Sequence, residues 1–252
     1  MAERGTLAEY RRRRDFSRTG EPRGDAAGAA ADRPGFVVQI HDATTTHFDF
    51  RLEVDGVLKS WAVPKGPSSD PHDKRLAMPT EDHPLEYRDF EGVIAKGEYG
   101  AGAVIIWDEG TYRNLTEDRR HRPVPLAEAL DGGHASFWLD GVKLHGGYSL
   151  TRLRGDRYGD REAWLLVKRG DSRASRAGAP DPRRARSARS GHTLGQVAAE
   201  GGPTWTRADG MSQDVPGGES ASGHGPAGEN QGRRASGGHG PGRHAPSGDG
   251  AS

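Results

Sequence analysis

The 252-residue sequence contains no cysteine and no apolar run long enough to span a membrane. The absence of cysteine excludes disulfide bonds, thiolate metal ligands and a cysteine nucleophile. The N-terminus carries charged residues and an arginine run before any hydrophobic stretch, which is not the pattern of a secretory signal. We therefore predict a soluble cytoplasmic protein without membrane contacts.

Aromatic residues are nearly missing from the last third of the chain. From Asp171 onward, 82 residues include 18 of the 38 glycines and a single aromatic residue, Trp205. Such a stretch cannot bury enough apolar surface to offset its chain entropy. We predict a disordered Gly/Arg/Ser-rich tail over residues 171–252 and one globular domain before it.

Net positive charge is missing as well, because 36 Lys and Arg residues balance 36 Asp and Glu residues. No overall field therefore draws this protein to nucleic acid. Polyanion binding would have to come from two local basic clusters, at residues 11–14 and 168–189. Short basic runs are most often solvated surface, so by themselves they favour nucleic-acid contact only weakly.

What the sequence does contain is a strongly alternating stretch at residues 47–54. Alternation of apolar and polar residues indicates a β-strand with one buried face. The polar face of this strand carries an imidazole, a carboxylate and a guanidinium in a row. These groups belong to His47, Asp49 and Arg51. A second short strand over residues 36–41 would bring Gln39 and His41 to a polar surface as well.

Turn signals and further short strands complete the predicted domain. Asp55-Gly56 predicts a hairpin turn into a return strand over residues 57–63. Short helices are expected at a capping box that begins with Thr6 and over residues 125–130. Further strands are expected at residues 104–107, 111–112, 136–139, 142–144, 147–153 and 163–168, with turns at residues 108–110 and 140–141. Many short strands with little helix indicate a β-dominated barrel or sandwich.

His41, His47 and Asp49 together offer two nitrogen ligands and one oxygen ligand. Such a set suits Mn, Fe, Co or Zn and leaves open positions for water or a substrate oxygen. The missing thiolates argue against a structural zinc site. The spacing alone also fits polar surface groups on an edge strand, so both interpretations stay open at this point.

Basic and imidazole side chains near this strand are suited to phosphoryl chemistry. Arg51 lies on the polar strand face, while Lys65, Arg75 and His83 lie on loops that could converge there. Cations neutralise charge on non-bridging oxygens, and an imidazole can protonate a leaving oxygen. We expect His83 to be extended and exposed, because Pro84 disfavours helix at the preceding residue.

Several long motifs, in order along the chain, resemble those of a known family. They are Y-R-R-R-R-D-F, T-G-E-P, V-V-Q-I-H-D-A, H-F-D-F-R-L-E, L-K-S-W-A-V-P-K-G-P, E-D-H-P-L-E-Y, Y-G-A-G, W-D-E-G, G-V-K-L-H-G-G-Y-S-L-T-R-L and W-L-L-V-K. Over nearly all of the first 170 residues, the chain resembles the 3'-phosphoesterase domain of bacterial DNA ligase D. It resembles a stand-alone version, whose ligase would act in trans.

The resemblance implies a compact β-barrel-like domain with short helices over residues 35–170, preceded by an N-terminal arm and connection over residues 1–34. It also implies a manganese-dependent reaction. The metal ligands would be His41, His47 and Asp49. The scissile phosphate would contact Arg51, His83 and Tyr87, with His83 also acting as general acid. The arm residues that help the diesterase step would be Arg14, Asp15 and Glu21. Supporting polar and basic groups would be Gln39, Glu81, Lys65 and Arg75.

By this resemblance, the protein would heal 3' ends of DNA or of RNA–DNA primer-templates during end joining. It would remove a terminal ribonucleoside and then hydrolyse the remaining 3'-phosphate to a 3'-hydroxyl. Its partners would include a separate ligase, a polymerase and a Ku-type end-binding protein, in the cytoplasm at the nucleoid. Two alternatives stay open: a non-catalytic module that only holds nucleic-acid ends, and a metal hydrolase of a small phosphorylated metabolite.

Overall fold

The structure is a computed structural model. It describes residues 7–25, 33–154, 161–178 and 180–200. The capping-box residue Thr6, most of the predicted connection at residues 25–32 and the predicted tail beyond residue 200 lie outside the described residues.

Two hairpins bring the alternating strands together, and the sequence predicts the second of them, at Asp55-Gly56. The strands are β1 (Gly35–Asp42), β2 (Thr46–Val54) and β3 (Val57–Val63). Between β2 and β3, Asp55 (φ 49°) and Gly56 (φ 82°) adopt the left-handed pair of conformations that a two-residue hairpin favours. The antiparallel register between β1 and β2 places His41 directly opposite His47.

A closed ring of antiparallel strands forms the body of the domain. The remaining strands are β4 (Lys74–Pro79), β5 (Gly92–Ile94), β6 (Gly102–Asn114), β7 (His134–Gly141), β8 (His145–Arg152) and β9 (Trp164–Lys168). The ring runs in the order β1-β2-β3-β4-β9-β8-β7-β6 and closes because β6 also pairs with β1. β5 lies beside the ring and pairs with the start of β6. The prediction of a β-barrel-like domain is confirmed.

Three local predictions are wrong, two of turns and one of a strand. Residues 108–110 do not turn the chain but lie within β6, which continues for 13 residues. Pairing with β1 on one side and β7 on the other overrides the local turn signal. The Asp108 carboxylate instead accepts hydrogen bonds from the backbone N–H groups of Lys143 and Leu144. Residues 140–141, predicted as a turn, are the last two residues of β7, where they pair with β6. Residues 142–144, predicted as a strand, form the connection between β7 and β8 that these bonds hold.

The barrel interior is apolar, as the alternation in β2 predicts. Fully buried side chains there include Phe36, Val38, Ile40, Phe50, Leu52, Phe137, Leu139 and Leu150. Because side chains alternate along a strand, the polar rows of β1 and β2 face the outside of the barrel.

The outer faces of β1 and β2 are nevertheless covered by protein. A second apolar cluster consists of Tyr10, Leu58, Tyr87, Phe90, Ile94 and Val104. Tyr10 comes from the N-terminal arm, and Tyr87 comes from a 3-10 helix at Leu85–Asp89. Gln39 is therefore fully buried. This burial corrects the prediction that Gln39 lies on a polar surface.

Short helices flank the barrel in the described part of the chain. They are α1 (Ala8–Arg12), α2 (Leu126–Asp131) and α3 (Leu194–Glu200). α1 begins after Leu7, close to the predicted start, and α2 lies where a helix is predicted. None of these helices is long and apolar enough to cross a membrane.

Part of the chain after residue 170, the predicted boundary of the tail, packs on the barrel. α3 packs against β1, β5 and β6, and its Leu194 and Val197 side chains join the apolar core. Ala188 also donates a backbone hydrogen bond to the Ile106 carbonyl, at 2.7 Å. A few apolar contacts thus hold a segment whose average composition indicates disorder.

Candidate active site

Three metal-ligand side chains meet on the outer face of β1 and β2. The rings of His41 and His47 have centroids 5.1 Å apart, and Asp49 lies two residues further along β2. Asp49 Oδ2 is 3.9 Å from His41 Nδ1, and Asp49 Oδ1 is 3.6 Å from His47 Nε2. One ligand atom from each residue lies within 4.8 Å of the others. The fold therefore brings together the set that the sequence singles out.

Backbone carbonyls orient both imidazoles and leave one nitrogen of each for a metal. His41 Nε2 donates to the Gly100 carbonyl at 2.7 Å, and His47 Nδ1 donates to the Thr45 carbonyl at 2.8 Å. Because a carbonyl only accepts, the other nitrogen of each neutral ring is unprotonated, and that nitrogen faces Asp49. Metal-binding histidines are commonly oriented in this way. The two nitrogens and one carboxylate could bind a divalent transition metal.

Arg51 continues the polar row of β2 and is held by three hydrogen bonds. Its Nη2 donates to Asp49 at 2.9 Å, its Nε to Gln39 Oε1 at 2.8 Å, and its Nη1 to Ser60 Oγ at 2.8 Å. The residue is only 2% exposed. The structure thus provides a rigid guanidinium directly beside the metal-ligand set, a group that matches phosphate oxygens in geometry and charge.

Tyr87 lies against this guanidinium, with Arg51 Cζ 4.9 Å from the ring centroid. Gln39 Nε2 donates to the backbone carbonyls of Tyr87 and Phe90, at 3.1 and 2.9 Å, and so joins the 3-10 helix to β1. Burial raises the pKa of Tyr87 well above its ordinary value. Its hydroxyl therefore stays protonated and able to donate a hydrogen bond.

His83 is buried, which corrects the prediction of an exposed position. Its backbone pairs with Leu58 in an isolated bridge, so the predicted extended conformation is present. The rings of Tyr10 and Tyr87 pack against the imidazole, with centroids 5.1 and 4.7 Å away. One ring from the distant arm and one from the 3-10 helix that follows His83 therefore cover it. His83 Nδ1 donates to the Glu81 carbonyl at 2.8 Å, which leaves Nε2 as the acceptor nitrogen.

Burial lowers the pKa of His83 well below its ordinary value, and the cations Arg51 and Arg14 lower this pKa further. Arg14 Nη2 lies 3.4 Å from His83 Nε2, consistent with a guanidinium facing an unprotonated nitrogen. In the free protein at pH 7, His83 is therefore a neutral imidazole between two cations.

The arm enters the site through buried ion pairs of Arg14. Its Nε lies 2.9 Å from Glu21 and its Nη1 lies 3.0 Å from Glu81. Its guanidinium carbon is 3.8 Å from the ring centroid of Tyr10. Thr19 Oγ1 donates a further hydrogen bond to Glu21, at 2.9 Å. These contacts connect the arm to His83 and to the outer wall of the barrel.

Asp15, Lys65 and Arg75 do not join this cluster. Asp15 is exposed, and its carboxylate accepts hydrogen bonds from the backbone and hydroxyl of Ser17. Arg75 lies in β4 rather than in a loop and pairs with Asp73 at 2.6 Å. Lys65 is exposed in the turn after β3. Within the described ranges, no hydrogen bond or ion pair connects these three residues to the metal-ligand set.

Sequence reasoning missed Ser60, Tyr10 and the carbonyl of Gly100. Ser60 Oγ accepts from Arg51 and lies 3.5 Å from His83 Nδ1. The hairpin register, counted outward from the predicted turn, pairs residue 51 with residue 60 and would have found it. Tyr10 and Gly100 reach the site only through long-range packing, for which the sequence carries no local signal.

Comparison with known proteins identifies the same stretch of chain. The family model for the DNA Ligase D 3'-phosphoesterase domain matches residues 39–152. The multifunctional non-homologous end joining protein LigD of Pseudomonas aeruginosa is 51% identical over 175 residues, which cover 67% of this chain and 19% of that protein. The multifunctional non-homologous end joining DNA repair protein LigD of Mycobacterium tuberculosis is 47% identical over 152 residues, 60% of this chain and 19% of that protein.

A third relative, the LigD protein of Mycolicibacterium smegmatis, is 40% identical over 172 residues, 68% of this chain and 21% of that protein. The chain thus spans about a fifth of the length of these curated relatives. The family match begins in β1 and ends in β8, so it includes the metal-ligand set and His83. The matched part of the chain, residues 39–152, therefore belongs to the DNA ligase D 3'-phosphoesterase domain family.

Proposed function

We propose that this protein is a metal-dependent phosphoesterase that heals 3' ends of DNA or of RNA–DNA primer-templates. It removes a 3'-terminal ribonucleoside, leaving a 3'-phosphate, and then hydrolyses that monoester to a 3'-hydroxyl. The observation that carries the proposal is Arg51, which contacts the ligand Asp49 on one side and Ser60, next to His83, on the other. A metal-ligand set and a phosphate pocket therefore share one wall of the barrel.

This reaction would serve DNA repair by non-homologous end joining, the process named in the relatives. A polymerase or a ligase requires a free 3'-hydroxyl, so the product is the substrate of the next step. We propose a ligase, a polymerase and a Ku-type end-binding protein as partners, and the cytoplasm at the nucleoid as the place of action. The domain would comprise residues 35–170, with residues 1–34 as its arm and residues 171–252 as a tail, whose helix α3 packs back on the barrel.

His41, His47 and Asp49 would hold the metal, and we propose Mn²⁺, which a nitrogen and oxygen donor set suits. When bound, the metal supplies Lewis-acid stabilisation of the phosphoryl group and orients a water molecule. Gly100 and Thr45, through their carbonyls, keep the two imidazoles turned toward that position.

Arg51 and Arg14 would neutralise the non-bridging oxygens of the scissile phosphate. Both guanidiniums are already held by hydrogen bonds, so little reorganisation is needed when charge develops. Gln39, Glu21 and Glu81 would act as positioning residues, because each contacts one of these guanidiniums. The predicted roles of Asp15, Lys65 and Arg75 stay predictions. These residues would contact the nucleic-acid strand outside this pocket.

His83 would protonate the leaving oxygen. A phosphate beside Arg14 and Arg51 offsets the cations that lower the pKa of His83, so the imidazole takes up a proton as substrate binds. In the first step, a water oxygen adds to phosphorus while the bond to the 5'-oxygen of the terminal nucleoside breaks. In the second, another water oxygen adds to phosphorus while the bond to the 3'-oxygen breaks, and inorganic phosphate leaves. Tyr87 would donate a hydrogen bond to the phosphate.

The experiment uses a labelled primer-template with one 3'-terminal ribonucleotide, incubated with Mn²⁺ or with EDTA. We expect conversion first to a 3'-phosphate and then to a 3'-hydroxyl. The reaction should stop with EDTA and slow by about 100-fold or more in His47→Ala. His72→Ala is the matched control, because the His72 side chain is 86% exposed and pairs only with Asp70 among the described residues.

Other outcomes favour the alternatives. A primer that is bound but not cleaved would indicate a nucleic-acid end-binding module instead of an enzyme. Hydrolysis of a small phosphate ester, without salt-dependent binding of the primer, would instead indicate a metabolite hydrolase.

A further inference from the structure

Tyr99 is an exposed aromatic side chain next to the candidate active site. It is 48% exposed, and among the described residues the only other exposed large apolar side chain is Val142, at 61%. The other described tyrosines of the chain are buried. A half-exposed ring adds little to the core, and exposed aromatic rings beside basic groups are typical of single-stranded nucleic-acid binding.

The loop that carries Tyr99 is attached to the site on both sides of the ring. The next residue, Gly100, has a φ of 77° and accepts the hydrogen bond from His41 Nε2 at 2.7 Å. The preceding residue, Glu98, pairs with Arg18 of the arm at 3.0 Å. Tyr99 therefore lies one peptide unit from the carbonyl that orients a metal ligand.

Two arm guanidiniums flank the ring of Tyr99. The Cζ atoms of Arg13 and Arg14 are 4.9 and 5.7 Å from its centroid, and Arg13 also donates a hydrogen bond to its hydroxyl. Arg14 reaches His83 as well, at 3.4 Å. The ring therefore lies between the loop behind His41 and the phosphate pocket, beside two arm cations that pair with carboxylates of Glu9, Glu21 and Glu81.

We propose that Tyr99 stacks on the terminal nucleobase of the strand whose last phosphodiester occupies the pocket. This inference rests on the proposed function and narrows its substrate to ends that carry a base. Stacking tolerates every base, because each has a π-face, so the preference is for a base rather than for a sequence. Arg13, beside the ring, would contact an adjacent phosphate.

A purely structural role of Tyr99 makes a different prediction. If the ring only anchors the arm through Arg13, its removal loosens Arg14 and slows every substrate equally. If the ring stacks on a base, only substrates with a terminal base respond. The two roles are separated by comparing primers that differ in that base alone.

The experiment uses two primers that end in the same ribose phosphodiester, one with its terminal base and one with an abasic ribose. We expect Tyr99→Leu to raise KM for the base-bearing primer about tenfold, to the value of the abasic primer. The abasic primer should have the same KM with the wild-type protein and with Tyr99→Leu. Tyr99→Trp should retain the preference for the base. Val142→Ala, the exposed apolar control, should change neither KM.

Equal slowing of both primers by Tyr99→Leu would overturn the proposal, and so would an unchanged KM for both. If the wild-type protein cleaves neither primer, the proposed function fails separately. In that case, fluorescence anisotropy with the same primers in EDTA tests whether Tyr99 binds the terminal base. The wild-type protein should bind the base-bearing primer about tenfold more tightly, and Tyr99→Leu should abolish the difference. Equal wild-type affinities would overturn the stacking role.

Discussion

The described part of the N-terminal arm, residues 7–25, and the C-terminal segment, residues 180–200, both pack apolar side chains on the barrel, but they differ in the charge that they bury. The arm brings buried charge, since the side chains of the Arg14–Glu21 pair are only 5% and 1% exposed. The C-terminal segment brings buried apolar side chains, and its Arg189–Asp89 pair is 40% and 39% exposed.

This difference gives the two segments different roles: the C-terminal segment mainly stabilises the fold, and the arm brings a charged group to the candidate site. Burying an ion pair costs about as much desolvation energy as the attraction returns, so such a pair is weak evidence for stability. Burying apolar side chains, in contrast, stabilises the fold directly. We infer that the arm is retained for the cation it holds beside His83. The C-terminal segment supports the site indirectly, since Arg189 contacts Asp89 in the 3-10 helix of Tyr87.

The largest expected effect comes from removing the buried cation of the arm. Arg14→Ala leaves the Glu21 carboxylate buried without this partner, which costs about 3–5 kcal/mol for a broken buried pair. We expect the arm to detach and hydrolysis of a 3'-phosphate end to slow by about 100-fold or more. Hydrogen exchange of residues 7–25 and hydrolysis rates measure the two effects.

Arg11→Ala is the matched control for that experiment. Arg11 lies in α1, three residues before Arg14, and is exposed. Among the described residues it donates to the backbone carbonyls of Arg23 and Gly24 at 3.2 and 2.9 Å and forms a 3.6 Å exposed pair with Asp25. We expect near wild-type rates. Similar losses in both variants would show that the arm needs its arginines in general and that Arg14 has no special role.

A smaller effect, on stability alone, is expected from the C-terminal segment. Leu194→Ala removes a buried side chain of α3 and should lower the free energy of unfolding by about 2–3 kcal/mol. Hydrolysis rates of the folded protein should stay within about twofold. Urea denaturation measures the loss, and Ala198→Ser, at an exposed position, should change stability by at most about 0.5 kcal/mol. Slowed hydrolysis in folded Leu194→Ala would contradict the separation of the two roles.

The smallest expected effect is a dependence of the unfolding free energy on pH, which the buried side chain of His83 contributes. Its folded-state pKa lies well below 6.5, so the unfolded chain takes up the proton first as pH falls. The stability contributed by neutral His83 is therefore present above about pH 6.5 and is lost below it, by at most about 1.4 kcal/mol per pH unit.

Urea denaturation at pH 7, 6 and 5 in EDTA measures this slope. His83→Asn should flatten the fall in unfolding free energy between pH 6 and 5. His121→Asn should leave the fall unchanged, because the His121 side chain is 89% exposed and its φ of 59° suits asparagine. Equal slopes in the wild-type protein and in His83→Asn would refute the neutral state of His83.

Much of the fold and of the metal site could be predicted because both depend on local pattern. The Asp55-Gly56 turn sets the register of one hairpin, and strand parity puts His47 and Asp49 on one face. His41 joins them because its strand pairs directly alongside. Asp108 shows the limit of this reasoning, since its turn-like sequence lies inside a strand that continues through pairing with β1 and then β7.

The sequence by itself determined the barrel class, the hairpin between β2 and β3 and the candidate set of metal-ligand side chains, because alternation and turn chemistry act between near neighbours. Only the tertiary structure decided that His83 and Gln39 are buried, that Asp15 and Lys65 stay outside the cluster, and that chain beyond residue 170 packs on the barrel. Those outcomes depend on which distant segments cover the outer wall. Burial is a property of that packing, and the local sequence does not encode it.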